Sequence, residues 1–191
     1  MNEFEFVFVL YSLVLGLSLV ELLTGLGRTL EFKLARTAQD KVFAIGWLTP
    51  MLAAFVILDL LSFWMFAWRV RDLVAATTGT VLGVLVFASA YFLASRLVFP
   101  YSPEHFTDLD THYFRVRRIV FAMLILMVVV QWLFLLSLPS LAGQIANPLT
   151  LAFTVALVGL MVAAAMIADR RASIAVLALL IGRYLVVYLL F

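Results

Sequence analysis

Six apolar runs, each about twenty residues long, constrain the fold of this chain more than any other feature of its sequence. An α-helix rises about 1.5 Å per residue, so a helical run of about 20 residues crosses the roughly 30 Å hydrocarbon core of a bilayer. Barrel strands would be only about half as long. We therefore predict an all-α, polytopic membrane protein, a bundle of about six transmembrane helices. The predicted spans cover residues 6–27, 43–68, 73–95, 117–138, 149–168 and 173–191.

Composition supports a membrane protein and excludes several function classes. The chain has 191 residues, 66% of them hydrophobic and 13% charged, whereas soluble domains have roughly 45–50% and 25%. A net charge of +2 is too small to indicate a nucleic-acid partner, and the absence of cysteine excludes thiolate catalysis and disulfides. No catalytic triad, phosphate-binding loop or dinucleotide fingerprint occurs. We expect a single domain over residues 1–191, without enzymatic activity or cofactor, surrounded by membrane lipids.

Basic residues are distributed unequally among the connections between the spans. The first, third and fifth connections together carry ten lysines and arginines, whereas the second carries two and the fourth none. Because basic loops stay in the cytoplasm, the odd-numbered connections are predicted to be cytoplasmic. Both termini are then expected on the outer side of the membrane.

The third connection is long enough to form structure of its own. Ser102 as the capping residue and Pro103 at the first helical position predict the start of a short cytoplasmic helix. Phe106, Leu109 and Tyr113 would form its apolar face, so an amphipathic helix on the bilayer surface is expected.

The same connection holds three weak candidates for metal ligands. His105, Asp108 and His112 fall on one side of the proposed short helix, and imidazole and carboxylate groups bind zinc. Helical zinc motifs place their histidines four residues apart, whereas these are seven apart. A solvated helix is therefore the favoured interpretation, and we predict no metal site.

Glu21 is a carboxylate inside the first apolar run. It lies about seven residues, or roughly 10 Å, from Arg28 at the predicted cytoplasmic end of this span, too far for direct pairing. Ser18 and Gly25 share its face, so a neighbouring helix can approach closely there. We expect Arg96, at the inner end of the third span, or a bridging water to be the partner of Glu21.

A second polar layer is predicted nearer the middle of the membrane. Asp59, Gln131 and Arg183 lie at comparable depth in the second, fourth and sixth spans. A lone charge at this depth costs about 2.5–3.5 kcal/mol on insertion scales, so a direct Asp59–Arg183 ion pair is expected.

Small residues at helical spacing occur in two other spans. Gly79 and Gly83 lie four residues apart in the third span, and Gly159 precedes Ala163 at the same spacing in the fifth. Such patterns let helix backbones approach closely. They predict packing within the bundle or, as the alternative, the interface of a homo-oligomer.

Two stretches resemble a widespread set of uncharacterised small bacterial inner-membrane proteins. One covers residues 5–28, E-F-V-F-V-L-Y-S-L-V-L-G-L-S-L-V-E-L-L-T-G-L-G-R, and the other begins with R-L-V-F-P at residues 96–100 and continues to Tyr113-Phe114 and Arg117-Arg118. The resemblance implies a bacterial inner membrane and draws attention to Glu21, Gly25 and Arg28. It implies no activity.

Two functions follow from the charges inside the apolar runs. In the first, an ion, a proton or a small solute is conducted or transported through the polar layers at Glu21 and at Asp59 and Arg183. In the second, the chain is a structural or signalling membrane module whose buried charges fix helix packing and assembly.

Overall fold

Six long helices make up the chain in a computed structural model, which describes residues 3–37, 45–73, 75, 77–102, 106, 108–137 and 147–190. All six are long and apolar enough to cross a membrane, and no strand occurs among these residues. A short 3-10 turn at Arg71–Leu73 follows the second helix. The helices are α1 (Glu3–Thr37), α2 (Leu48–Arg69), α3 (Thr78–Val98), α4 (Leu109–Leu136), α5 (Pro148–Met166) and α6 (Arg170–Leu190).

The prediction of an all-helical chain with six helices of membrane-spanning length is confirmed, but two helices are longer than expected. Helix α1 continues past residue 27 to Thr37, through a segment rich in residues with high helix propensity. Helix α4 begins at Leu109 instead of residue 117, because Asp108 caps it by accepting a hydrogen bond from the Asp110 backbone N–H at 2.9 Å.

The early start of α4 bears on the predicted short amphipathic helix. Residues 103–105, including His105 and the predicted helix start, lie outside the described residues. Leu109 and Tyr113 belong to α4 and are fully buried in the bundle, so a separate surface helix is not confirmed and their predicted placement on the bilayer surface is wrong.

Helix α2 lies at the centre of the bundle. It contacts α1, α3, α4 and α6, while α1 also packs on α3, and α5 packs between α4 and α6. One continuous cluster of buried apolar side chains draws residues from all six helices. Side chains in the middle of α2 therefore contact most of the other helices.

The bundle has two chemically different ends. We name one the basic end, because Arg28, Arg96, Arg117 and Arg170 lie there, and the other the opposite end, which includes Arg69. At the basic end, the Arg117 Nη1 donates to the Ala164 carbonyl at 3.4 Å and so satisfies the last turn of α5.

Asp110 joins three helices at the basic end. Its Oδ1 accepts a hydrogen bond from the Leu48 N–H at 3.0 Å, at the start of α2, and its other oxygen pairs with Arg170 at the start of α6. Gly46 permits this contact: it has φ of +69°, and a Cβ there would lie 2.1 Å from the Asp110 Oδ1.

The glycines do not all serve helix packing. Gly25 lies directly against Phe99, so that a Cβ at residue 25 would approach the Phe99 side chain to 2.7 Å, and Ser18 on the same helix is fully buried. In contrast, a Cβ added at Gly83 or Gly159 would meet nothing within 4 Å, and one at Gly79 would meet only Thr77, at 3.9 Å. Close packing of these three glycines within the bundle was therefore a wrong prediction, while the homo-oligomer stays a prediction.

Gly25→Ala tests the contact between α1 and the segment after α3. The added methyl group must displace Phe99, so we expect a loss of about 1–3 kcal/mol in the free energy of unfolding, measured by denaturant titration in detergent. The matched control is Gly27→Ala, where a Cβ meets nothing within 4 Å and higher helix propensity makes the change neutral or stabilising. Equal effects of the two substitutions would contradict this packing.

Candidate functional site

Glu21 is paired with Arg96. The Arg96 Nη1 contacts the Glu21 Oε1 and connects α1 to α3, which is one of the two partners expected from the sequence. Arg28 does not pair with Glu21; its Nη1 donates to the Tyr101 carbonyl at 3.2 Å. The Arg28 and Arg96 guanidinium carbons lie 5.3 and 5.2 Å from the centre of the Tyr101 ring. The Glu21 layer is therefore an ion pair that braces two helices at the basic end.

Asp59 is fully buried in the middle of α2 and accepts hydrogen bonds from two tyrosines. The Tyr184 hydroxyl of α6 donates to Oδ1, and the Tyr91 hydroxyl of α3 lies 3.2 Å from Oδ2. The Tyr91 hydroxyl is also 2.7 Å from the Val56 carbonyl, so its single proton is shared between two acceptors. These contacts connect α2 to α3 and α6 through one carboxylate.

The predicted Asp59–Arg183 ion pair is wrong: among the described residues, Arg183 makes no ion pair. Its Nε donates instead to the Phe153 carbonyl of α5 at 3.2 Å, and its guanidinium carbon lies 4.9 Å from the centre of the Tyr184 ring. The physical reason is that the tyrosine hydroxyls already satisfy the carboxylate, while the arginine donates from its Nε to a backbone oxygen and lies over an aromatic face.

Asp59, Gln131 and Arg183 nevertheless line one cavity of 230 Å³ between α2, α4, α5 and α6, which we name the polar cavity. Arg69, in the last turn of α2, and Thr150, in the first turn of α5, also line it, so it extends to the opposite end of the bundle. Along the axis of α2, Asp59 lies about 15 Å from Arg69 toward the basic end, at 1.5 Å per residue. Ser62, Thr154 and Tyr184 supply further polar groups.

The polar cavity carries more positive than negative charge. Arg69 and Arg183 both line it without an ion pair in the described part of the chain, and Asp59 is its one acidic residue. Such a cavity offers hydrogen bonds to a polar solute and attracts an anion to the guanidinium groups, while the fully buried Asp59 lies in its wall.

Sequence reasoning missed Tyr91 and Tyr184. A signal was present, because both lie well inside their helices, whereas tyrosines of membrane helices are enriched at the interfaces. A tyrosine hydroxyl in an apolar interior needs a hydrogen-bond partner, and Asp59 is the acidic group at that depth.

Two of the three weak metal candidates have other partners. Asp108 caps α4, as described above, and also lies 3.9 Å from the Arg170 Nη1. The His112 Nε2 lies 3.1 Å from the Leu97 carbonyl oxygen, and its ring packs edge-on against Phe106. The described residues contain no group of three histidine, aspartate or glutamate side chains that could hold a metal ion.

No protein-family model, no curated protein and no solved structure matches this chain. The geometry of the polar cavity is therefore the main indication of function.

Tyr184→Phe tests the hydrogen bonds that hold the buried Asp59. The substitution removes a donor to a carboxylate in an apolar interior, so we expect the free energy of unfolding to fall by about 1.5–3 kcal/mol. The matched control is Tyr188→Phe, one turn away, which loses a hydrogen bond to the neutral Leu58 carbonyl and should cost about 1 kcal/mol. A larger loss for Tyr188→Phe would contradict the assignment.

The Glu21–Arg96 brace is tested by a double-mutant cycle. Glu21→Gln and Arg96→Gln each leave one charge without its partner, so each should destabilise the protein against thermal unfolding in detergent. The double variant should lose less than the sum of the two single losses, because neither charge remains. Strictly additive losses would mean that the two side chains do not interact.

Proposed function

We propose that this chain is a multi-pass protein of a bacterial inner membrane that conducts or transports an ion, a proton or a small solute through the polar cavity. One observation carries the proposal: a cavity that begins at the opposite end of the bundle reaches a fully buried carboxylate in the central helix. Ionisable residues are rare inside membrane helices, and those that do occur there commonly mark ion and solute pathways.

The surface of the bundle supports a location in the membrane. Large apolar side chains on different helices are exposed, among them Leu13 by 62%, Leu126 by 61% and Val155 by 63%. Soluble proteins rarely expose large continuous apolar patches, whereas lipid tails cover them at no cost. With the basic end in the cytoplasm, as the positive-inside rule favours, the polar cavity opens outward and both termini lie outside.

The contacts at the two ends suggest how access is controlled. The basic end is closed by Asp110, which connects α2, α4 and α6, and by Arg117 on the end of α5. The opposite end is hollow between α2, α4, α5 and α6. We infer an outward-facing conformation, in which passage to the cytoplasm requires the contacts of Asp110 to break.

The second candidate is a structural or signalling module, favoured by a different observation. Both oxygens of Asp59 have tyrosine partners, so the carboxylate can serve solely to fix the positions of α2, α3 and α6. The two functions differ in one measurable respect, because a structural carboxylate supports no flux.

Asp59→Asn distinguishes the two functions in reconstituted vesicles. Under proton, sodium, potassium and chloride gradients applied one at a time, we expect wild-type flux of at least one ion and a loss of about tenfold or more in Asp59→Asn, since the amide carries no charge. The matched control, Asp72→Asn, changes an exposed carboxylate beyond the end of α2 and should retain the flux.

Thermal unfolding and size-exclusion chromatography in detergent show whether Asp59→Asn is still folded. Absence of wild-type flux under all four gradients would contradict conduction of these ions. Full flux in a folded Asp59→Asn variant would show that the ion pathway does not depend on the Asp59 carboxylate.

A further inference from the structure

The polar cavity has an apolar neighbour on the other side of α2 and α4. A groove of 430 Å³ lies between α1, α2, α3 and α4, and we name it the apolar groove. It also lies toward the opposite end of the bundle, because it reaches Val70, just after α2, and Thr80, in the first turn of α3. Most of its lining is aliphatic or aromatic, including Val7, Phe8, Val84, Phe87, Val130 and Phe134.

The two spaces share a wall. Phe63, Phe66 and Gln131 line both the polar cavity and the apolar groove. Phe63 is buried, whereas Phe66 and Gln131 are only partly buried, so one core side chain and two incompletely packed ones separate the two spaces. A molecule that lies across this wall has a polar environment on one side and an apolar one on the other.

Two glycines of α3 leave open volume in the apolar groove because they have no side chain. Gly79 and Gly83 both line it, and a Cβ at Gly83 would meet nothing within 4 Å. A small-residue face that does not pack on another helix leaves open space along α3, which a flexible hydrocarbon chain can occupy. The groove's 430 Å³ lies toward the lower end of the roughly 300–1,000 Å³ of small-ligand sites, so one hydrocarbon chain is the occupant that it suits.

The charge of the polar cavity indicates which polar group would bind there if a hydrocarbon chain occupied the apolar groove. The Arg183 Nη atoms make no hydrogen bond among the described residues, since only its Nε is used, toward Phe153. Arg69 likewise has no ion pair there, whereas Asp59 is already hydrogen-bonded by its tyrosines. An anionic group is therefore the head that this cavity complements.

We propose that the polar cavity and the apolar groove together bind a single-chain anionic amphiphile. Its carboxylate or phosphate lies at Arg183, and its hydrocarbon chain passes Gln131 and Phe66 and lies along Gly83 and Gly79. The proposal rests on the proposed function in that the polar cavity is the same site, and it names the chemical class of the ligand.

The test is equilibrium binding of tritiated palmitate to the purified full chain in detergent. Gly83→Leu fills the groove, so we expect binding about tenfold weaker, which corresponds to about two methylene groups displaced from apolar contact. The matched control is Gly159→Leu, the same change at a glycine that is equally open but lines neither space. Arg183→Gln should weaken binding by about tenfold or more, and Arg171→Gln, an exposed arginine at the basic end, should not.

Competition then tests each half of the ligand. Hexadecanol lacks the charge, acetate lacks the chain, and phosphatidylglycerol has two chains, so each should displace palmitate at least tenfold less well than unlabelled palmitate does. Equal displacement by any of the three would overturn the proposed ligand class, and so would equal binding by Gly83→Leu and Gly159→Leu.

The binding experiment and the flux experiment can give opposite outcomes, so each tests its own proposal. Palmitate binding with the expected variant pattern, but without ion flux in vesicles, would support the amphiphile site and contradict the proposed conduction of ions. Ion flux that depends on Asp59 in a protein that does not bind palmitate would leave the proposed function standing and overturn the amphiphile site.

Discussion

The carboxylate of Asp59 must be kept inside an apolar bundle, and the arrangement of three helices depends on that requirement. An ionised group at this depth is unfavourable unless hydrogen-bond donors surround it. Tyr91 and Tyr184 supply those donors from α3 and α6, on two sides of the central helix. Through these two contacts, one buried carboxyl group helps to fix α3 and α6 against the central helix.

Ion pairs between helices occur at the basic end, whereas the ion pair described at the opposite end joins the chain neighbours Arg71 and Asp72. At the basic end, Glu21 pairs with Arg96, and Asp110 pairs with Arg170 while capping α2, so opposite charges meet and the helices are held together. Toward the opposite end, Arg69 and Arg183 line the polar cavity and make no ion pair in the described part of the chain. Helices linked by polar contacts at one end, with a cavity between them toward the other, are compatible with one state of the alternating access that we propose.

Much of the fold could be predicted from the sequence, because apolar runs of bilayer length determine the number and approximate positions of the helices. The Glu21–Arg96 partnership was also predictable, since depth along each helix brought the two charges to one level. Depth could not give the rotation of each helix about its axis, and this is why the partners of Asp59 and Arg183 were missed. The same limit applies to Gly83 and Gly159, whose spacing suits close packing but where an added Cβ would meet nothing within 4 Å.

The central claim is that the polar cavity holds water and opens outward, and the chain suits a direct measurement because it contains no cysteine. Thr154 lines the cavity, whereas its neighbour Val155, at the same depth on α5, is exposed on the apolar surface. A cysteine reacts with charged, membrane-impermeant thiol reagents through its thiolate, which is the nucleophile and forms only where water reaches the sulfur. Added to the outside of intact cells, such a reagent should label Thr154→Cys and leave Val155→Cys unlabelled. Labelling of neither variant, or of both equally, would contradict an outward-opening cavity.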